Sequence, residues 1–243
     1  MEFKRITILC GHYGSGKTNV AIALAREQKH RGRPVIIADL DIVNPYFRTQ
    51  DSEEELAEEG IRMICSSFAN SNVDLPSLPQ EIYAVTDDSQ SYFVLDVGGD
   101  ERGALALGRL APEILRENDY DMYMVVNRYR PLTPDAASTM EVLREIETAS
   151  GLHFTGIINN SNLARETTPE TVLQSLSYAR SIAAESGLPL IATTVEERIY
   201  EAVKAEIAGA GSGTNPEPGT DGGNSASGNP GELFPIRLQK KPV

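Results

Sequence analysis

The chain has 243 residues, 40% hydrophobic and 23% charged, which suits one α/β domain with appendages. Its net charge of −13 argues against non-specific nucleic-acid binding and against docking on anionic lipid, both of which need clustered Lys and Arg. No window is apolar for long enough to span a bilayer. The two cysteines, Cys10 and Cys65, are too few for a disulfide framework and lack metal-ligand spacing, and the opening MEFKRITILC leads directly into a strand pattern with no leader signature, so a reducing, cytoplasmic setting is expected.

In chain order, residues 3–9 (FKRITIL) read as a buried strand. Gly11–Thr18 (GHYGSGKT) follows and fits G-x-x-x-x-G-K-[ST] without a mismatch. Residues 19–30 then read as a helix with an apolar face at Val20 and Leu24. Strand, glycine-rich loop and helix together are the context of a phosphate-binding loop. In it Gly11, Gly14, Ser15, Gly16, Lys17 and Thr18 would cradle a nucleotide. Backbone N–H groups and the helix N-terminus would face the phosphates. Lys17 would reach the β- and γ-phosphates, and the Thr18 hydroxyl would ligate Mg²⁺.

Residues 34–38 (PVIIA) read as a second buried strand, followed by Asp39 and Asp41, whose side chains share a side of an extended chain. Asp41 is the candidate for orienting an attacking water and Asp39 for a metal contact through water. The plainer reading of both is turn chemistry, which Asn44-Pro45 supports. The acidic run 51–59 (DSEEELAEE) reads as a solvated helix face. Residues 61–64 form a short strand, and 75–84 a loop leading into a helical turn. Residues 92–100 (YFVLDVGGD) carry an apolar strand to Asp96, a carboxylate placed to hold Mg²⁺, and then Gly98 and Gly99, able to offer an N–H to a γ-phosphate.

Beyond this the pattern continues in βα alternation: helix 104–117, strand 121–126, helix 134–150, strand 154–158, helix 169–186, strand 188–192 and helix 195–207. Thr133-Pro134 reads as a helix start and Gly151 and Gly187 as stops. Regular alternation implies an α/β fold: a mostly parallel sheet with helices on both faces. The expected organisation is a nucleotide-binding domain at 1–208, a Gly/Ser/Asn/Pro linker at 209–231 and a short C-terminal segment at 232–243 (ELFPIRLQKKPV). That segment is either a tethered docking element or a frayed terminus.

Together, GHYGSGKT, the Asp39/Asp41 pair and the Asp96–Gly99 turn resemble the MinD/ParA-type P-loop ATPases of the SIMIBI class, over roughly residues 4–207. GHYGSGKT and DLDIVNPYFR more closely resemble a bacterial set of ATP-binding proteins that share these signatures. The resemblance implies ATP and Mg²⁺ as ligands and hydrolysis coupled to a switch. It also implies an unnamed protein partner, often with a nucleotide-sandwich homodimer, and no membrane span. Lys17 and Asp41 would be catalytic, and Thr18, Asp39 and Asp96 would serve the metal. Asn159 in GIINNSN, with Asn160 beside it, stands where that family reads the base; Asn127-Arg128 is a weaker match.

The chain departs from the family at one place. His12-Tyr13-Gly14 stands where the family has Lys-Gly-Gly, whose lysine reaches across a dimer to the partner's nucleotide. Arg48 or Arg102 are substitutes for that cation, against the plainer reading of each as a solvated arginine. Two other functions fit the same motifs. One is an ATP-dependent biosynthetic enzyme of the dethiobiotin synthetase or cobyrinate amidase type, with Arg48, Arg128 and Arg130 in a substrate pocket. The other is a nucleotide-binding adaptor with little hydrolysis.

Overall fold

The computed structural model describes residues 3–41, 52–65, 80–99, 101–211 and 230–238. Asn44-Pro45, Arg48, residues 75–79 of the expected loop and most of the linker lie outside the described residues.

The elements run β1 (Ile6–Cys10), α1 (Lys17–His30), β2 (Val35–Leu40), α2 (Glu53–Glu58), β3 (Arg62–Cys65), α3 (Ala84–Asp87), β4 (Tyr92–Val97), α4 (Glu101–Gly108), α5 (Ala111–Glu117), β5 (Tyr120–Val126), α6 (Ala136–Ser150), β6 (Gly156–Asn159), α7 (Pro169–Ser186), β7 (Leu190–Glu196), α8 (Tyr200–Gly211) and β8 (Glu232–Ile236). The strands form one sheet in the order β3-β2-β4-β1-β5-β6-β7-β8. Every pairing is parallel. This is the α/β, doubly covered sheet that the alternation implied.

Burial of both faces explains the unbroken apolar runs. All residues of β1, β2 and β4 are buried. Alternate side chains feed two cores. Ile6, Ile8, Ile36, Phe93, Leu95, Met122 and Met124 pack with Leu107, Ile114, Leu143 and Ile146 from the α4–α6 side. Leu9, Val35, Ile37, Val94, Tyr123 and Val125 pack with Val20, Ala21, Leu24 and Ala25 of α1 and Leu56 of α2. Glu55 and Glu59 pair with Arg26 of α1 at 2.8 and 2.7 Å, at the solvated face that the acidic run predicts.

Local chemistry moves some boundaries. The single helix expected over 104–117 is two, because Gly108 ends α4 close to the Ala149 carbonyl and Pro112 opens α5. Helix α6 starts at Ala136 rather than at Pro134; Asp135 is its cap, its carboxylate accepting the Ser138 N–H at 2.9 Å. Helix α7 begins as its composition suggests, with a reciprocal Thr168/Thr171 capping box and Pro169 in the first turn.

The C-terminal segment is the larger correction. Glu232–Ile236 neither stands apart nor frays; it pairs with β7 from Ala192↔Glu232 to Glu196↔Ile236 as the eighth strand. Phe234 and Ile236 are buried with α1 residues, and Leu233 packs with Val195 and Val203. Composition isolates this stretch because the low-complexity run precedes it, but its alternation of apolar residues is that of a strand. Phe234→Ala is therefore expected to cost roughly 3 kcal/mol. That would lower the melting temperature by roughly 6–12 °C for a chain of this size. Calorimetry showing an unchanged melting temperature would mean that β8 adds nothing to the core.

Candidate nucleotide site

The site lies at the C-terminal ends of β1, β2 and β4–β6, where the chain leaves β1 between β4 and β5 and crosses to β2, placed beyond β4. Such a switch point opens a crevice at the strand ends. The Gly11–Thr18 loop occupies it and enters α1 through Gly16 at φ 85°. The loop is packed at backbone distance. A Cβ on Gly11, itself at φ 144°, would lie 2.3 Å from the Val125 carbonyl oxygen of β5. A Cβ on Gly99 would meet the Tyr13 nitrogen at 2.5 Å and the Gly11 oxygen at 2.8 Å. The glycine turn after β4 thus lies directly on the phosphate loop, with no room for any side chain between them.

Register assembles the acidic groups. Asp39 of β2 and Asp96 of β4 are partners in the parallel ladder and share the sheet face covered by α1. Asp96 is 1% exposed and accepts a hydrogen bond from the Thr18 hydroxyl at 2.7 Å. Thr18, Asp39 and Asp96, the set nominated for metal, therefore converge. Asp41, half-buried at the end of β2, donates its backbone N–H to the Asp39 carboxylate at 2.9 Å. The turn chemistry weighed for this pair is present, and it fixes Asp39 in place.

Lys17 is buried, and its ammonium folds over the loop, donating to the Gly11 carbonyl at 3.0 Å and to His12 O at 3.5 Å. His12 Nδ1 lies 3.0 Å from the Tyr13 carbonyl, a contact within the loop itself. Cys10, behind the loop, has its thiol pushed up to about 12 by burial, with Lys17 pulling the other way, so it stays neutral.

The asparagines differ from expectation. Asn159 is fully buried, its amide donates to Ser175 Oγ at 2.9 Å, and its carbonyl accepts from Ser161 Oγ at 2.7 Å and Ser161 N–H at 3.2 Å. Its polar atoms are committed inside the protein, which removes the basis for assigning it to the base. Asn127 is likewise buried, its Oδ1 accepting the Tyr129 N–H. Asn160 reaches the loop instead: its Nδ2 donates to the Ser15 carbonyl at 2.7 Å, and its Oδ1 accepts from Thr194 Oγ1 of β7. Nothing in the sequence pattern singles out Thr194, because the link depends on β6 and β7 lying side by side. Of the arginines, Arg102 is exposed, Arg128 donates to the Gln174 carbonyl of α7 at 2.7 Å, and Arg48 lies outside the described residues.

The residues present fit a nucleotide with its metal. Buried Ser15 Oγ has no hydrogen-bond partner among the described residues. Mg²⁺ is usually held by one or two carboxylates plus phosphate oxygens and water, and Asp96, Asp39 and Thr18 suit that role. The geometry and motif define a P-loop nucleotide-binding protein. The profile of the CobQ/CobB/MinD/ParA nucleotide-binding domain matches residues 6–173, more than half of the chain, and the chain belongs to that family. No curated protein matches the chain.

Solved structures with a similar fold include the cell division protein FtsY of Thermotoga maritima, with TM-score 0.53 and 18% identity over 80% of this chain and 62% of that one. FtsY of Mycoplasma mycoides gives 0.52 and 15% over 78% and 59%. Chloroplast FtsY of Physcomitrella patens gives 0.51 and 16% over 78% and 58%. At these identities the likeness is one of fold, and the chain spans about three fifths of the length of those proteins. Among the described residues no helix is long and apolar enough to cross a membrane.

The Asn160 clamp is directly testable. Asn160→Asp replaces the donor facing the Ser15 carbonyl with a carboxylate, at an expected cost of about 1–3 kcal/mol. Urea unfolding should show a lower midpoint; a midpoint equal to that of the parent would mean the loop is held without this bond.

Proposed function

We propose that the protein binds ATP with Mg²⁺, hydrolyses it, and uses the exchange of nucleotide states to signal to a protein partner. The observation that carries this reading is continuity. Asp96 accepts the Thr18 hydroxyl, and three residues later Gly99, in the turn after β4, rests on the backbone of Gly11 and Tyr13. A γ-phosphate arriving at the loop must contend with that turn, so occupancy of the site and the conformation after β4 are linked.

In this reading the loop N–H groups and Lys17 hold the phosphates, and the Lys17 ammonium leaves its carbonyl partners for phosphate oxygens. Asp96, Thr18 and Asp39 hold the metal, which when bound screens charge between the terminal phosphates. Asp41 orients the water. ATP rather than another nucleotide follows from the family resemblance. A homodimer would follow the same resemblance. The adaptor reading, with little hydrolysis, is supported by His12, which occupies the place of the family lysine and engages its own loop.

Lys17→Ala is expected to abolish most nucleotide binding, because it removes the buried cation at the phosphate positions. Isothermal calorimetry is the check, and unchanged affinity for Mg·ATP would refute the site. Asp41→Ala should keep ATP affinity while turnover falls about 100-fold or more, as for a group that acts in the transition state. Phosphate release at the parental rate would exclude Asp41 from water positioning. If the parent itself retains ATP with negligible phosphate release, the adaptor reading replaces the switch.

A further inference from the structure

Arg130, on the connection from β5 to α6, lies across the middle of the phosphate loop. A Cβ on Gly14 would sit 3.3 Å from Arg130 Nε and 3.5 Å from its Cδ and Cζ. Nε is buried and has no hydrogen-bond partner among the described residues. No ion pair among the described residues involves this guanidinium.

The connection is also fixed in place. The Arg130 N–H donates to the Asn127 carbonyl at 3.2 Å, and its own carbonyl accepts the Thr133 N–H at 3.2 Å. The Arg128 N–H donates to Ser161 Oγ at 3.0 Å, and the Tyr129 hydroxyl donates to the Thr171 carbonyl at 2.7 Å. A guanidinium is charged at every working pH. Holding it half-buried, with no counter-charge among the described residues, is costly, and an anion arriving beside it recovers that cost.

The neighbouring loop, with its glycines and the N-terminus of α1, is built to gather an anion. We propose that Arg130 contacts the polyphosphate of the bound nucleotide and supplies, from within the same chain, a second fixed cation beside Lys17. The assignment rests on the nucleotide-binding reading above. The placement of the guanidinium over Gly14 puts the charge at the loop's midpoint rather than at the His12 position. A single copy of the chain would then present both cations, with no contribution from a partner subunit to charge neutralisation.

The test is Mg·ATP affinity of the full chain, by calorimetry, in Arg130→Met and Arg130→Lys. Methionine keeps an apolar stem against Gly14 and removes the charge; lysine keeps the charge. Arg130→Met should bind about ten-fold more weakly than the parent, a change of about 1.4 kcal/mol, and Arg130→Lys within about three-fold. The ligand-free melting temperature of Arg130→Lys should match the parent, and that of Arg130→Met should match or exceed it, because the unpaired charge is gone. Parental affinity in Arg130→Met, with binding lost in Lys17→Ala, would overturn the role of Arg130 and leave the nucleotide site standing. Equal weakening in the methionine and lysine variants would show that shape matters rather than charge and would also overturn it. Parental affinity in both Lys17→Ala and Arg130→Met would remove the nucleotide site itself.

Discussion

The site depends on the approach of backbone to backbone at the ends of the central strands. Gly11 sits where a methyl group would collide with the Val125 carbonyl, and Gly99 where one would collide with Tyr13 and Gly11. These contacts press the phosphate loop against β5 on one side and the turn after β4 on the other. Asn160 holds its outer end through the Ser15 carbonyl. A loop fixed in this way has little ordering entropy left to lose on binding.

Parallel pairing then does for charge what close packing does for shape. Because β2 and β4 run side by side in register, Asp39 and Asp96 fall on one face next to Thr18 without either strand deviating. Behind the loop, burial keeps the Cys10 thiol neutral. Fixed cations come from separate elements, Lys17 from the first turn of α1 and Arg130 from the β5–α6 connection. In a chain of net charge −13, such local positive charge favours the approach of an anion to this edge of the sheet.

Much of this was legible in the residues alone. The loop, the two strands ending in carboxylates and the parallel architecture follow from motif and periodicity, since each is written in contiguous sequence. What stayed hidden depends on lateral neighbours. Asn159 and Asn160 are adjacent in sequence, yet one bonds to Ser175 of α7 and the other reaches Ser15, a choice made by strand alternation and by what flanks β6. Arg130 looked like one arginine among several until the β5–α6 connection placed it over Gly14. The strand character of β8 was masked by the polar run before it, and its partner β7 could not be named without the sheet order.

The order of assembly follows from the same pairings. The phosphate loop is translated before each of these supports, so none of them exists when it is made. Thr18 waits for a carboxylate 78 residues later, and the Ser15 carbonyl for an amide 145 residues later. Thr194, which braces that amide, comes later still. Contacts so distant along the chain make for slow folding, because loop closure must be met before they are gained. The earliest-made part of the site is thus the last to become competent, and a nascent chain carries a P-loop sequence long before it carries a P-loop.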